Sequence, residues 1–227
     1  MSFQELYIAD CAYFDDDKCV DGEYVHLLGE QYYRIRNYDR LDPFFMSIVS
    51  SSDHWLFISS TGGLTCGRRN ADSALFPYDT DDKIAASSGT TGHKSVLRVT
   101  RGDRTYLWEP FSPRWAGVYR VERSLYKNVY GDKLVFKETN LDLGLTYRYA
   151  WRTSDRYGFV KTAWLKEESG QACSMALIDG LQNLLPYGAS VQVQRLFSNL
   201  LNAYKRNELD LRTGLGIFAL SSGSVSY

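Results

Sequence analysis

A repeated alternation of apolar and polar residues between Gly117 and Gln182 limits the fold of this chain most strongly. Residues two apart share one face of a strand, so each alternating run predicts a strand with one buried face. The runs are Val118–Arg123, Leu134–Thr139, Leu145–Arg152 and Tyr157–Trp164, with turn residues at 130–132, 142–144, 154–156 and 168–170. This regular spacing predicts an all-β, mainly antiparallel fold, a large β-sandwich or super-sandwich.

Hairpin patterns extend this architecture toward the N-terminus. Phe44–Val49 and His54–Ile58 are short apolar runs separated by a Ser-Ser-Ser-Asp turn, and Glu23–Leu28 and Tyr32–Arg36 flank a turn at Gly29 and Glu30. Glycines follow at positions 62 and 63, which indicates unusual backbone torsions or a close approach. Strands are also predicted at 95–100 and 105–109, after a polar surface loop over 79–94.

One helix is predicted near the C-terminus, at about 191–207. Its apolar residues recur at helical spacing: Val193, Leu196, Phe197, Leu200, Leu201 and Tyr204. Ser190 is placed to cap its first turn. A further apolar strand, Leu215–Leu220, needs a sheet to join.

Length and composition exclude several classes of function. The 227 residues fit a single domain, 1–227, and 44% hydrophobic content indicates a globular chain. A net charge of −1 argues against nucleic-acid partners, and no apolar run is long enough to cross a membrane. The four cysteines lack metal-ligand spacing and the three histidines are scattered. We therefore expect no metal or other cofactor, and a cytoplasmic location.

Three landmarks, in order, resemble those of a known enzyme family. The first is a strand pair, Ser47–Ser50 and Phe57–Thr65, with the Arg69-Asn70 loop and Leu75–Tyr78 after it. The second is Tyr106–Phe111 and the third is Ser174–Asn183. Together they resemble the N-terminal β-super-sandwich of cellobiose phosphorylase-like enzymes, glycoside hydrolase family 94 and its relatives. The resemblance covers most of the chain from about residue 15.

The resemblance implies a non-catalytic domain. In that family a helical barrel downstream supplies the catalytic carboxylate, and the parent enzyme acts on glycosides with inorganic phosphate. The chain is then expected to be a piece of a larger multidomain protein that is inactive alone. It would assist carbohydrate binding, inter-domain packing or dimerisation, with a downstream helical domain, a second subunit or an oligosaccharide as partner. The alternatives are a stand-alone carbohydrate-binding module and a non-enzymatic interaction scaffold.

Four loop residues are candidates for binding sugar hydroxyls or phosphate: Arg68, Arg69, Asn70 and Asp72. Arginine donates in pairs to oxyanions, while Asn and Asp suit neighbouring hydroxyls. The alternative is that these charges hold their own turn or dock a partner.

Trp108 and Trp115 are candidates for stacking on sugar rings, and the alternative is that they pack in the core or against another domain. No catalytic residue is assigned. Pairs such as Glu109 with Asp103 or Glu122 with Glu138 can be drawn between many acids in a chain that has 27 of them.

Overall fold

Antiparallel strands make up most of the secondary structure, which confirms the predicted all-β class. The structure is a computed structural model that describes residues 5–8, 11–14 and 19–221. The predicted domain 1–227 therefore extends beyond the described residues and stays a prediction. The strands are β1 (Glu5–Ile8), β2 (Cys11–Phe14), β3 (Asp21–Leu27), β4 (Glu30–Arg36), β5 (Phe45–Ile48), β6 (His54–Ser59), β7 (Leu64–Arg68), β8 (Gly92–Arg101), β9 (Arg104–Trp108), β10 (Val121–Asn128), β11 (Lys133–Asn140), β12 (Leu145–Ser154), β13 (Gly158–Glu167), β14 (Ser174–Gln182), β15 (Lys205–Asp210) and β16 (Leu215–Leu220). The α-helices are α1 (Asp81–Ala86), α2 (Val191–Leu196) and α3 (Ser198–Tyr204).

The largest sheet has six strands in the order β13-β12-β11-β10-β4-β3, and its neighbours pair antiparallel. Strands β10 to β13 follow one another as a meander, as the alternating runs predict. The β3–β4 hairpin turns on Leu28 and Gly29, whose φ angles are 52° and 81°. Positive φ at both positions is typical of the two-residue turn that matches the twist of its strands.

Two three-stranded sheets, β5-β6-β7 and β14-β8-β9, pack against one face of the large sheet. Side chains from all three sheets form one core cluster, and its largest fully buried members are Trp108, Trp151, Tyr147, Tyr149, Phe76, Phe136, Leu56, Ile58, Leu64, Leu97 and Leu134. A smaller cluster, centred on Tyr32, Tyr126 and Val135, lies apart from it on the large sheet. The layers therefore share a core in the manner of a β-sandwich.

The turn at Gly62 and Gly63 joins β6 to β7. The unusual torsion and the close approach predicted for these glycines are both confirmed. Gly62 has φ +92°, a conformation that residues with a side chain rarely adopt. A Cβ on Gly63 would lie 1.9 Å from the carbonyl oxygen of Ile84 in α1. Glycine at position 63 thus lets the turn approach the backbone of α1.

The segment 79–94, predicted as a loop, contains ordered structure that its polar composition hides. Helix α1 occupies Asp81–Ala86, and β8 begins at Gly92. Ile84 is buried, and α1 packs against β6 and β7. So short a helix buries a single apolar side chain, Ile84. A helical pattern can be recognised in a sequence only when several apolar residues repeat at helical spacing.

The predicted single helix over 191–207 is wrong in its extent. Phe197 has φ −132° and ψ 31°, which are not helical, so α2 and α3 are separate helices. Of the predicted apolar stripe only Leu201 is classed as buried. The backbone becomes extended at Lys205. From there β15 pairs with β16, whose backbone groups need a hydrogen-bonding partner. Ser190 does cap α2, and its side chain accepts a hydrogen bond from the Val193 amide.

None of the helices in the described residues is long and apolar enough to cross a membrane.

Shortening a core leucine tests the shared core. Leu97→Ala removes a fully buried side chain from β8, and we expect a loss of about 2–5 kcal/mol in the free energy of unfolding. Leu107→Ala is the matched control, since Leu107 is 46% exposed on the adjacent β9. Urea denaturation of both variants measures the difference. Equal losses would contradict the layered arrangement.

Candidate functional site

An aspartate from a neighbouring turn holds the two arginines of the predicted loop. Arg68 Nε donates to Asp53 Oδ1 at 2.8 Å, and Arg69 Nε donates to Asp53 Oδ2 at 3.3 Å. These hydrogen bonds, that from Arg68 first, lower the pKa of the Asp53 carboxyl. Both guanidinium groups are mostly exposed. The contacts match the alternative in which the charges hold their own turn, so sugar or phosphate binding there stays a prediction.

The other two loop residues do not join the arginines in one site. Asp72 Oδ1 accepts a hydrogen bond of 3.0 Å from the Val191 amide at the start of α2. Asn70 is exposed, and its side chain forms no capping hydrogen bond to the short 3₁₀ turn at Ala71–Ser73. Asp72 therefore attaches the C-terminal helices to the sandwich.

The two candidate tryptophans have different environments. Trp108 is 1% exposed, and its indole Nε1 donates to Glu138 Oε1 at 2.9 Å. Its ring has no free face on which a sugar could stack, so its predicted contact with carbohydrate is corrected to a core position. Trp115 is half-buried and donates from Nε1 to Glu109 Oε2 at 3.2 Å. Trp115 keeps a partly accessible ring beside a charged side chain.

The buried carboxylate of Glu138 positions the segment between these tryptophans. Besides Trp108, it accepts from the Phe111 amide at 2.7 Å and from Arg123 Nε at 2.8 Å. Phe111 has φ 63°, an uncommon conformation for a residue with a side chain. The hydrogen bond to its amide helps to hold that conformation. Glu138 thus fixes the loop 109–113 from inside the core.

The carboxylate pairs considered from the sequence do not meet. Arg123 lies opposite Glu138 in the sheet, so Glu122 points to the other face. Asp103 lies at the turn before β9 and Glu109 follows its far end, roughly 15–20 Å away along the strand. Acid pairs that cleave glycosides lie about 5–10 Å apart. Neither pair has the geometry for that reaction.

A narrow cleft with a volume of about 30 Å³ lies beside the fixed loop. It forms where the 61–62 turn, residues 88–89, the start of β8 and the loop 109–113 meet. The larger or polar side chains in its lining include those of His93, Lys94, Glu109, Phe111, Ser112 and Tyr149. None of the residues 68–72 lines the cleft. Its volume is about that of one water molecule, well below that of small-molecule sites, so a larger ligand would contact only its mouth.

Lys94 and Glu109 form an ion pair in this cleft. Lys94 Nζ donates to Glu109 Oε1, and the Glu109 side chain is only 10% exposed. Burial alone would raise the pKa of Glu109, but hydrogen bonds from Lys94, Ser112 and Trp115 lower it below its usual value. Glu109 is therefore a charged acceptor at neutral pH.

The buried imidazole of His93 lacks hydrogen-bond partners in the described part of the chain. Its side chain is 4% exposed, and neither ring nitrogen forms a hydrogen bond with any described residue. Burial, and then the nearby charge of Lys161, lowers the pKa of His93 to about 3. The imidazole is thus neutral at pH 7. Leaving a buried polar group unpaired costs about 1–3 kcal/mol.

A second group of polar side chains lies behind His93. Asp179 Oδ1 accepts from Ser95 Oγ at 2.5 Å, from Tyr147 OH at 2.8 Å and from Lys161 Nζ at 2.5 Å. His93 Nδ1 is 3.9 Å from the same oxygen, which is too far for a hydrogen bond. The three donors balance the charge of Asp179 without the imidazole.

A larger groove of about 360 Å³ is a weaker candidate for a polar ligand. Its walls are mainly apolar and include Tyr24, Tyr33, Phe44 and Met46. The amide of Asn128, its buried polar group, is already bonded to Asp132 Oδ1 and to the Lys133 amide. The described groove therefore has less unmet hydrogen-bonding capacity than the His93 cleft.

Sequence reasoning missed the grouping of His93, Lys94 and Glu109. His93 and Lys94 lie in the segment predicted as a loop, and Glu109 was considered only as an acid partner for Asp103. The sequence contained one signal of this grouping, the predicted hairpin of 95–100 with 105–109. Pairing of these strands brings the start of the first, next to Lys94, close to the end of the second, at Glu109. Among the described residues, no group of three or more His, Cys, Asp or Glu could hold a metal ion.

Removing the charge of Glu138 tests its role in fixing the loop. Glu138→Gln leaves the largely buried Arg123 without its closest anionic partner, and we expect a loss of about 3–5 kcal/mol in the free energy of unfolding. Glu122→Gln, on the exposed face of the same sheet, is the control, with an expected change within about 0.5 kcal/mol. Chemical denaturation compares them; similar small losses would count against the role.

The neutral state of His93 predicts a pH dependence of stability. Its pKa is about 3 in the folded protein and 6.5 by the reference value, so the unfolded chain binds the proton more readily. Its contribution to stability is complete above pH 6.5 and is lost as the pH falls toward 3. Between pH 6.5 and 5 the loss is about 1.5 kcal/mol.

The comparison of wild type with His93→Phe isolates this contribution. Denaturation at pH 6.5 and pH 5 gives the slope for each protein. We expect the variant to lose less stability over this interval; identical slopes would mean that His93 takes up its proton equally well in both states.

Comparison with known proteins does not assign this chain to a family. No family model matches the sequence, and a search of curated proteins finds no significant match. The resemblance to cellobiose phosphorylase-like enzymes accordingly stays a prediction from the residues.

Proposed function

We propose that this chain is a non-catalytic β-sandwich domain of a carbohydrate-active protein of the glycoside phosphorylase or hydrolase type. In this proposal one unit of a neutral saccharide binds across the mouth of the cleft, where Lys94 and Trp115 are partly exposed. The domain also provides a surface for packing against a helical catalytic domain or a second subunit. The chain alone has no turnover.

The paired charges of Lys94 and Glu109 are the observation that carries the sugar-binding proposal. They are the charged residues among those described that line the cleft, and they neutralise each other. A phosphate or other anion would have to compete with Glu109 for Lys94. Neutral hydroxyl groups can donate to the carboxylate and accept from the ammonium group while the pair stays intact. This balance favours a neutral polyhydroxylated ligand over inorganic phosphate at this place.

Aromatic rings support the same ligand class. Phe111 lines the cleft, and the half-buried Trp115 donates a hydrogen bond to Glu109 at its edge. The apolar C–H faces of sugars pack against aromatic rings of this kind. Of the two tryptophans predicted to bind carbohydrate, Trp115 is the one that remains available.

Exposed apolar side chains support the proposed packing surface. Among the described strands β14 pairs with β8 alone and is an edge strand, and Ile178 on it is 76% exposed. Further large exposed apolar residues on β14 and along 209–217 are Met175, Leu177, Leu181, Leu209, Leu211, Leu215 and Ile217. Exposed apolar side chains that recur along a segment are typical of surfaces that contact another protein. They favour an interaction scaffold as the second candidate function.

Calorimetric titration of the chain with glucose, cello-oligosaccharides and chito-oligosaccharides tests the sugar-binding proposal. We expect binding to at least one of them, and Glu109→Gln should weaken it about tenfold or more because a charged acceptor is lost. Inorganic phosphate at equal concentration should not compete.

Glu208→Gln, an exposed change on β15, is the matched control and should leave the affinity unchanged. Absence of binding by the wild-type chain at millimolar sugar, or full affinity in Glu109→Gln, would refute binding in this cleft.

A further inference from the structure

The core-facing side of the large sheet is not covered over its whole width. Side chains of β10 to β12 on this side are buried in the shared core, but β4 adds only the partly buried Ile35, and no described residue of β3 belongs to that core. Leu125, Ile35 and Gly22 lie opposite one another on β10, β4 and β3, so Gly22 belongs to the same side. Gly22, Tyr24 and His26, at every second residue of β3, are all exposed. This uncovered end of the sheet contributes the Tyr24 wall of the larger groove.

Two tyrosine rings shape this groove. The rings of Tyr24 and Tyr33 meet edge-on with centroids 5.2 Å apart, and the residues are 66% and 43% exposed, so both offer accessible ring surface. Tyr33 lies over Gly22, where a Cβ would be 2.2 Å from the tyrosine hydroxyl oxygen. Phe44 and Met46, at the start of β5, add further apolar surface. The groove volume of about 360 Å³ falls within the range of small-molecule sites, about 300–1,000 Å³.

Lys127 is the single charged residue among the described residues that line the groove. It lies opposite Tyr33 on the neighbouring strand, so the two side chains share one face of the sheet. The lysine is half-buried, and its ammonium group forms no ion pair or hydrogen bond with any described residue, whereas Lys133 on β11 pairs with Glu30. An unpaired ammonium group among apolar walls favours a ligand with one anionic group and an apolar body.

We propose that the larger groove binds a small aromatic carboxylic acid, whose ring packs against Tyr24 and Tyr33 and whose carboxylate accepts a hydrogen bond from Lys127. One lysine balances the single charge of a carboxylate, whereas a phosphate monoester carries about two negative charges at pH 7. The site is separate from the cleft at Lys94 and Glu109, and the inference does not depend on the proposed sugar binding.

Calorimetric titration with 2-naphthylacetate and with its neutral amide, 2-naphthylacetamide, tests the charge pairing. We expect the acid to bind about fivefold or more tightly than the amide, because only the acid forms a charge-assisted hydrogen bond. Lys127→Gln should remove this difference by weakening the acid and leaving the amide unchanged. Lys166→Gln is the matched control, since Lys166 is 68% exposed on β13 at the opposite edge of the sheet, and it should keep wild-type affinity for both compounds.

A glycine variant tests the aromatic wall. In Gly22→Ala the added methyl group displaces the hydroxyl end of the Tyr33 ring, so both compounds should bind more weakly. Gly180→Ala is the matched control, because a Cβ at that position on β14 meets no atom within 4 Å.

Methionine methyl groups allow a measurement on the unaltered protein. In ¹³C NMR spectra of methyl-labelled methionine, saturating 2-naphthylacetate should shift the methyl resonance of Met46, which lines the groove. The resonance of Met175, on β14, should stay in place.

The outcomes distinguish this inference from the proposed sugar binding. Absence of binding by the wild type at millimolar 2-naphthylacetate, an unmoved Met46 resonance, or full affinity for the acid in Lys127→Gln overturns the inference and leaves the sugar proposal intact. Dimerisation of the protein that Tyr24→Ala abolishes would assign the groove to a second copy of the chain and would also overturn it. Failure to bind sugars, with 2-naphthylacetate bound as expected, overturns the sugar proposal alone.

Discussion

The buried carboxylate of Glu138 is the interaction on which the cleft depends. Its two oxygens accept hydrogen bonds from the Trp108 indole, the Phe111 amide and the Arg123 guanidinium. These donors come from β9, from the loop after it and from β10. A charge inside the core is stable only when such donors surround it. One side chain therefore joins the small sheet to the large one and holds Phe111 at positive φ beside the cleft.

The fold was largely predictable where a strand has one buried face. Such a strand leaves an alternating pattern in the sequence, as in β12, where Tyr147, Tyr149 and Trp151 are buried and the residues between them are less buried. Strand β15, Lys205–Asp210, does not, since its side chains are exposed or only partly buried and its residues are mostly polar. The position of helix α3 could be predicted from its apolar spacing, but its end could not. Residues from Lys205 onward pair with β16, and this pairing outweighs their helical preference.

The candidate site was much less predictable, for a different physical reason. Lys94 and Glu109 meet only because β8 and β9 pair in a register in which Leu97 faces Trp108, and residue types alone do not give that register. The Arg68–Asp72 loop looked more site-like because its charges are concentrated in the sequence. In the structure those charges are used locally, by Asp53 and by the first turn of α2. Charge density along a chain therefore says little about which charges remain for a ligand.

The edge position of β14 connects the stability of one strand to the electrostatics of the cleft. This strand contributes Asp179, yet within the described part of the chain it pairs with β8 alone, and most of its side chains are exposed. Strands with so little cover open locally at a lower free energy than the whole molecule, and amide exchange reports that opening. Each such opening withdraws Asp179 from Lys161, Ser95 and Tyr147 and leaves a lysine without its counter-ion behind His93. The electrostatic field in the cleft thus depends in part on an exposed edge strand.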